Sequence, residues 1–267
     1  MWNFRHAAVC ILAAILALLS SGASAMAQGG AAAVPILVYH RFGPVAADGM
    51  TVTTGVFEDQ LAWLRTHGYR VIPLRTLVAA LSDPAAALPP RAVVVTVDDG
   101  HRTVYSDMLP LIRRERLPVT LFLYPSAISN ADYAMTWDQV AEIARTGLVD
   151  VQSHTYWHPN FRRERARLAP DAYRAFVKTQ LERSKEVIGR RFGAPVDMLA
   201  WPFGIHDAEL ERWAAAAGYR AAFTLERRPA RRGADLLALP RYLVTDADRG
   251  ARFRAIIEGA ERGRPGS

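Results

Sequence analysis

Short apolar runs alternate with amphipathic stretches along the chain from residue 34 onward. The apolar runs predict strands at 36–39, 92–97, 119–124, 149–152, 198–201, 221–224 and 242–244. Apolar positions at helical spacing predict helices near 56–67, 103–115, 136–146, 170–190, 207–217 and 249–260. About seven such alternations are typical of an α/β fold, and we expect a distorted barrel of about seven parallel strands.

The amount of apolar side chain fits a single core. The chain has 267 residues, of which 51% are hydrophobic, so we predict one domain that spans residues 28–267. Within it, Thr136 and Gln139 form a capping-box pattern, because each side chain can bind a backbone amide of the other residue at a helix start. This pattern predicts that the helix near 136–146 begins there.

The N-terminal segment has the pattern of a signal peptide. Arg5 precedes an apolar run at 7–19, and small residues follow at 23–25 and again around Ala27. The run is shorter than the roughly 20 residues that a membrane-crossing helix needs. We therefore predict a cleaved signal over residues 1–27, a secreted or periplasmic protein and no stable membrane span.

Cysteine and charge narrow the chemistry further. Cys10 is the only cysteine and lies in the predicted signal, so a metal in the mature protein must be held by nitrogen and oxygen ligands. The formal net charge is +7, with arginine runs at 162–165 and 227–232. We interpret these runs as a solvated face and exclude nucleic acid as a partner, because no zinc-finger spacing or aromatic RNA-binding motif accompanies the charge.

Two carboxylates follow the second predicted strand. The apolar residues 93–97 lead directly into Asp98, Asp99 and Gly100. The carboxyl ends of parallel strands are where active sites collect in barrels. Adjacent residues that leave a strand point in different directions, so one carboxylate can bind a cation while the other stays free. Alone, the same three residues also occur as a simple turn.

A histidine pair follows the strand at 149–152. His154 and His158 stand four residues apart, which places both imidazoles on one face of a helical turn. One carboxylate and two imidazoles make three protein ligands and leave positions open for water and substrate. Such a site can polarise an amide carbonyl, and a free carboxylate can take a proton from water, giving hydrolysis through a tetrahedral oxyanion.

Aromatic residues follow another strand, where Trp201, Pro202, Phe203 and Gly204 are consecutive. Aromatic rings give apolar platforms for the C–H faces of sugars. We therefore expect Trp201, Pro202 and Phe203 to contact substrate, although packing in the core would explain one of the two rings equally well.

These motifs, in this order, resemble the polysaccharide deacetylases of carbohydrate esterase family 4, which carry the nodulation-protein-B homology domain. Residues 96–100 are similar to the first family motif, which implies Asp98 as the catalytic base and Asp99 as a metal ligand. Residues 153–158 are similar to the second, which implies that His154 and His158 are ligands. Residues 201–204 are similar to the third, which lines the substrate groove.

The resemblance is strongest to enzymes that deacetylate poly-β-1,6-N-acetyl-D-glucosamine of the biofilm matrix. It rests on residues 35–40, 57–61, 135–138, 201–204 and 223–226. It implies a polysaccharide substrate, and the machinery that makes and exports the polymer as partners. The expected cofactor is one divalent ion, Zn²⁺ first, with Co²⁺, Ni²⁺, Mn²⁺ or Fe²⁺ able to occupy two imidazoles and a carboxylate.

The chain also departs from the family pattern. Ala200 stands where many members have an arginine that orients the base, and Thr245 stands where the family has its late histidine, the general acid. We take His40, at the end of the first strand, as the candidate acid, with His206 second. Alternative functions are deacetylation of peptidoglycan or chitin-type β-1,4 polymers, and glycan binding without catalysis.

Overall fold

A parallel sheet forms the centre of the protein in a computed structural model, which describes residues 33–83 and 85–262. The strands are β1 (Ile36–Tyr39), β2 (Arg41–Gly43), β3 (Thr51–Thr53), β4 (Arg70–Val71), β5 (Ala92–Asp99), β6 (Val119–Leu123), β7 (Val149–Ser153), β8 (Met198–Ala200), β9 (Ala221–Phe223) and β10 (Tyr242–Leu243). The predicted signal peptide, residues 1–27, lies outside the described residues. No helix within the described ranges is long and apolar enough to cross a membrane.

Helices surround the sheet. They are α1 (Thr54–Thr66), α2 (Leu74–Ser82), α3 (Leu109–Glu115), α4 (Trp137–Ala144), α5 (Phe161–Arg167), α6 (Pro170–Phe192), α7 (Ala208–Ala216) and α8 (Ala251–Glu261). The capping box predicted at Thr136 and Gln139 is present at the start of α4. The sequence pattern did not predict α2 or α5, nor the short parallel pair β2 and β3.

Seven strands follow one another around the sheet in the order β10, β1, β5, β6, β7, β8 and β9, all parallel. The two edges are bridged by residues 239–244. On one side, Leu239 N–H donates to Ala222 O and Thr224 N–H donates to Leu239 O, each at 2.8 Å. On the other side, Val244 N–H donates to Val38 O at 3.0 Å. The prediction of a distorted barrel of about seven parallel strands in one domain is confirmed.

Side-chain alternation along the strands separates an interior from an outer layer. Val94, Phe122, Ala200 and Phe223 belong to one buried cluster inside the curved sheet. Their neighbours in sequence pack outward against the helices, as Trp201 does in a cluster with residues of α6 and α7. Polar side chains that follow the inward register at the carboxyl ends of the strands are therefore brought together.

Candidate active site

Asp98 and Asp99 end strand β5 in different environments. Asp98 is only 1% exposed and shares the inward register of Val94. Asp99 leaves the strand with a left-handed backbone, at φ 74°. Gly100 has φ 78°, and a Cβ at this position would lie 3.0 Å from Cδ1 of Ile128. Glycine therefore meets both the backbone angle and the close packing that this turn requires.

His154 and His158 lie in the loop that follows β7. His154 N–H continues the sheet by donating to Leu123 O at 2.9 Å. The expected regular helical turn is wrong, because Thr155 and His158 have left-handed φ values of 65° and 60°. This tighter path still brings the two imidazole rings together, with centroids 4.6 Å apart and planes at 72°. Strained backbone of this kind persists where surrounding structure holds functional side chains in place.

Asp99, His154 and His158 converge on one point. The Oδ1 atom of Asp99 lies 3.5 Å from His154 Nε2 and 3.6 Å from His158 Nε2. Two donors bound at about 2.1 Å to one tetrahedral ion lie roughly 3.4 Å apart, so both spacings match. All three ligand atoms lie within 4.8 Å of one another.

The protonation of these groups also fits a divalent cation. Nδ1 of His154 donates to Ala200 O at 2.7 Å, which leaves Nε2 free to act as a ligand. Burial lowers the pKa of His154 to about 3 and also lowers the pKa of His158, so both imidazoles are neutral. Asp99 Oδ1 is buried without a hydrogen-bond partner among the described residues, and burial raises the pKa of Asp99. A cation would satisfy this carboxylate.

Arg241 holds Asp98 through two charge-assisted hydrogen bonds. Nη1 donates to Oδ1 at 2.8 Å and Nη2 to Oδ2 at 2.7 Å, and the Arg241 side chain is fully buried. Burial would raise the pKa of Asp98, but the guanidinium of Arg241, with a smaller contribution from His154, outweighs it and lowers the pKa to about 2. Asp98 is therefore an ionised, oriented and buried carboxylate.

Arg241 was not among the predicted site residues. Ala200 faces the interior and belongs to the same buried cluster as Phe122, over whose ring the Arg241 guanidinium lies at 5.5 Å. The arginine that binds Asp98 therefore comes from the segment that bridges β9 and β1, whereas position 200, where the resemblance led us to look for an arginine, is alanine.

The two histidines considered as general acids have different surroundings. His40 directly follows β1, and the pairing of Tyr39 with Val97 places it next to Asp98 in register. Its side chain is buried, and within the described part of the chain Nδ1 has no hydrogen-bond partner. His206 instead pairs through Nδ1 with Glu211 at 2.7 Å. The structure therefore leaves His40 free to interact at the site.

The aromatic segment divides into buried and exposed parts. Trp201 has no exposed surface, packs against Phe161 at 6.2 Å and donates from Nε1 to Leu237 O at 2.9 Å. The expectation that Trp201 contacts the sugar directly is therefore wrong. Strand alternation turns its ring away from the barrel interior and into the buried layer between the sheet and the helices. Pro202 is also buried, so the expectation that it contacts the sugar is wrong as well.

Phe203 is the exposed ring of this segment. It is 57% exposed, and its centroid lies 4.6 Å from that of His158. Its backbone is left-handed, at φ 57° and ψ 14°, an arrangement that costs a bulky residue of order 1 kcal/mol or more. A strained, exposed aromatic residue beside the candidate metal ligands is suited to contact a ligand.

A second pair of aromatic residues lies near the cluster, after strand β6, and was not predicted. Tyr124 lies 5.2 Å from the His158 ring, and its hydroxyl is 2.7 Å from that of Tyr133. Tyr133 is 42% exposed and stacks on His101, with centroids 6.3 Å apart. Aromatic side chains thus flank the cluster on more than one side.

Comparisons with known proteins identify similar sequences. A family profile described as polysaccharide deacetylase matches residues 85–222, just over half of the chain. The Bacillus subtilis protein YxkH is 26% identical over 227 residues, covering 85% of this chain and 77% of its own. A poly-β-1,6-N-acetyl-D-glucosamine N-deacetylase of Staphylococcus epidermidis is 23% identical over 200 residues, covering 73% and 68%.

One solved structure shows the similarity of fold. The Streptococcus pyogenes deacetylase PplD, in complex with acetate, superposes with a TM-score of 0.75 at 22% identity. The match covers 85% of this chain and 99% of PplD.

Proposed function

The chain belongs to the polysaccharide deacetylase family, and from this premise we propose that it is a metal-dependent hydrolase that removes N-acetyl groups from an N-acetylglucosamine polymer. The proposed polymer is poly-β-1,6-N-acetyl-D-glucosamine. The observation that carries the proposal is the ionised, buried Asp98 beside three converging ligands, because amide hydrolysis needs a base and an electrophile at one point.

The proposed metal ligands are Asp99, His154 and His158. A bound divalent ion, Zn²⁺ in this proposal, would supply polarisation of the acetyl carbonyl and a more acidic water. Such an ion uses neutral imidazoles and carboxylate oxygens as donors, and Oδ1 of Asp99 has no hydrogen-bond partner within residues 33–83 and 85–262. Co²⁺, Ni²⁺, Mn²⁺ or Fe²⁺ fit the same donor set.

Asp98 is the proposed base, and Arg241 is its positioning residue. Asp98 accepts the proton of the attacking water, for which it must be ionised before each turnover. Arg241 keeps it so and fixes the plane of its carboxylate through two parallel hydrogen bonds. As the C–N bond breaks, the leaving amine needs a proton, and we assign its delivery to His40 because of its register beside Asp98.

The choice of polymer is supported by similarity to the Staphylococcus epidermidis enzyme, which is named for the β-1,6 polymer. Phe203 would lie under a sugar ring of this polymer, with Pro202 and Trp201 holding it from beneath. The pattern of residues 1–27 supports action outside the cytoplasm, where machinery that synthesises and exports the polymer would be a partner.

Acetate release tests the proposal directly. Purified protein loaded with Zn²⁺, Co²⁺ or Ni²⁺ is incubated with β-1,6-linked and, separately, β-1,4-linked N-acetylglucosamine oligomers. We expect acetate from the β-1,6 oligomers, and loss of release in Asp98→Asn and His154→Ala. Release from β-1,4 oligomers alone would transfer the protein to peptidoglycan or chitin-type substrates, and binding without release under all three metals would indicate a non-catalytic glycan-binding protein.

The proton donor requires a separate pair of variants. His40→Gln should lower the rate on unactivated N-acetyl substrates far more than on an aryl acetate, whose leaving group needs no proton. His206→Gln is the matched control, because His206 is engaged with Glu211. Equal sensitivity of both substrates to His40→Gln would contradict the assignment.

A further inference from the structure

A cavity of about 660 Å³ opens at the bridge between the sheet edges. Its volume lies within the roughly 300–1,000 Å³ typical of small-molecule sites. It is formed at the carboxyl ends of β9 and β10 and by helix α8, and its lining includes Leu225, Arg227, Leu243, Thr245, Asp248 and Ile256.

The cavity adjoins the wall that carries Phe203. Leu225 packs directly behind this wall, since a Cβ on Gly204 would lie 2.9 Å from Leu225 N. On the other side, Leu243 pairs with Val38, two residues before His40. The cavity therefore continues the same face of the barrel from the catalytic centre toward α8.

The lining combines apolar surface with a fixed polar pair. Leu225, Leu243 and Ile256 provide the apolar part. Asp248 is 9% exposed, and its Oδ2 accepts from Thr245 N–H at 2.8 Å and from Thr245 Oγ at 3.0 Å. Both contacts fix the carboxylate in place.

Arg227 completes the pair from the opposite side. Its Nη1 donates to Leu243 O at 3.0 Å, and its Nη2 lies 3.8 Å from Asp248 Oδ1. This last distance is too long for a hydrogen bond. A hydroxyl oxygen about 2.8 Å from each atom would bridge them, accepting from Arg227 and donating to Asp248.

We propose that this cavity is a subsite for the sugar unit adjacent to the one being deacetylated, with the Arg227 and Asp248 pair binding one of its hydroxyls. The proposal rests on the proposed function, because only a polymeric substrate has such a neighbouring unit. Apolar side chains beside a donor and an acceptor complement a pyranose, which presents C–H groups and hydroxyls together.

Chain-length dependence tests the subsite. The measured quantity is kcat/KM for acetate release from the β-1,6-linked pentamer divided by that from the N-acetylglucosamine monomer, which has no adjacent unit to fill the subsite. Ala255→Trp places a large ring in the cavity from the exposed face of α8, and Arg227→Met removes the donor. We expect each to lower the ratio about tenfold, through KM of the pentamer. Matched controls at exposed positions of α7, Ala215→Trp and Arg212→Met, should keep the wild-type ratio.

The possible failures are distinguishable. If wild type releases acetate but the ratio is the same in wild type, Ala255→Trp and Arg227→Met, the subsite is overturned while the proposed function stands. If wild type releases no acetate from the pentamer, the monomer or an aryl acetate, the proposed function and the subsite are overturned together.

Discussion

Replacing Arg241 with Met tests whether the buried ion pair keeps Asp98, the proposed base, ionised and oriented. In the wild type, the pKa of Asp98 falls from 3.8 to about 2. Since a pKa difference of one corresponds to about 1.4 kcal/mol, ionised Asp98 favours the folded state by about 2–3 kcal/mol. Arg241→Met removes the partner and leaves a buried charge, for which about 3–5 kcal/mol of unfolding free energy is the expected loss.

The predicted pH dependence follows from the sign of each pKa change. In the wild type this contribution is present above about pH 4 and is lost as the pH falls toward 2, through the pKa of folded Asp98. In Arg241→Met, burial raises the pKa of Asp98, so the charged form opposes folding at neutral pH. We therefore expect the stability difference between the two proteins to be largest at neutral pH and to narrow in acid.

Urea unfolding of four proteins isolates the pair: wild type, Arg241→Met, Asp98→Asn and the double variant. The cycle is needed because Arg241 also donates to Thr224 O and Thr96 Oγ1. We expect a coupling energy of about 2–3 kcal/mol, and kcat/KM for acetate release about a hundredfold lower in Arg241→Met. Arg241→Lys should recover only part of the activity, because lysine keeps the positive charge but cannot donate two parallel hydrogen bonds to the Asp98 carboxylate. Additive stability changes, with an unaltered pH–rate profile in Arg241→Met, would refute the reasoning.

Other variants test the remaining parts of the site. Phe203→Ala and Phe203→Asn should each raise KM about tenfold. The Asn variant should have a higher Tm than the Ala variant, because asparagine tolerates the left-handed backbone. An unchanged KM would contradict contact between Phe203 and the sugar. Gly204→Ala should lose about 2 kcal/mol or more in chemical unfolding, since its Cβ would lie 2.9 Å from Leu225 N, and a neutral result would contradict the packing. Removal of metal by a chelator should lower Tm. Adding Zn²⁺ at about 1,000 times Kd should restore it, with a gain of about 4 kcal/mol in the free energy of unfolding. An equal gain in His154→Ala would contradict the ligand assignment.

The residues of the candidate site could be located from the sequence because each follows a recognisable strand. Asp98 and Asp99 end a largely apolar run, and His154 follows the next strand but one. In a parallel sheet these strand ends meet at one edge, so short local patterns were enough to place the residues together. The loop shape at His158 was not predictable, since its left-handed backbone is imposed by tertiary contacts.

Arg241 and Trp201 show where local patterns fail. Arg241 is 143 residues from Asp98, so nothing near either residue indicates their contact. An arginine beside apolar Tyr242 and Leu243 was nevertheless a signal, because a charge in a buried strand requires a partner. Trp201 is two residues after Leu199, so the two side chains lie on the same face of the strand, which is the outward one. The aromatic motif favoured a substrate contact and did not reveal this orientation.

The bridge between β9 and β1 ties the chemistry of the site to the order in which the chain is made. Asp98 is synthesised well before Arg241, since chains grow from the N-terminus. Until residues 239–244 dock, Asp98 has no counter-ion from this segment. On the proposed assignment of Asp98 as the base, catalytic competence is a property of the completed barrel and is acquired with one of its last strands.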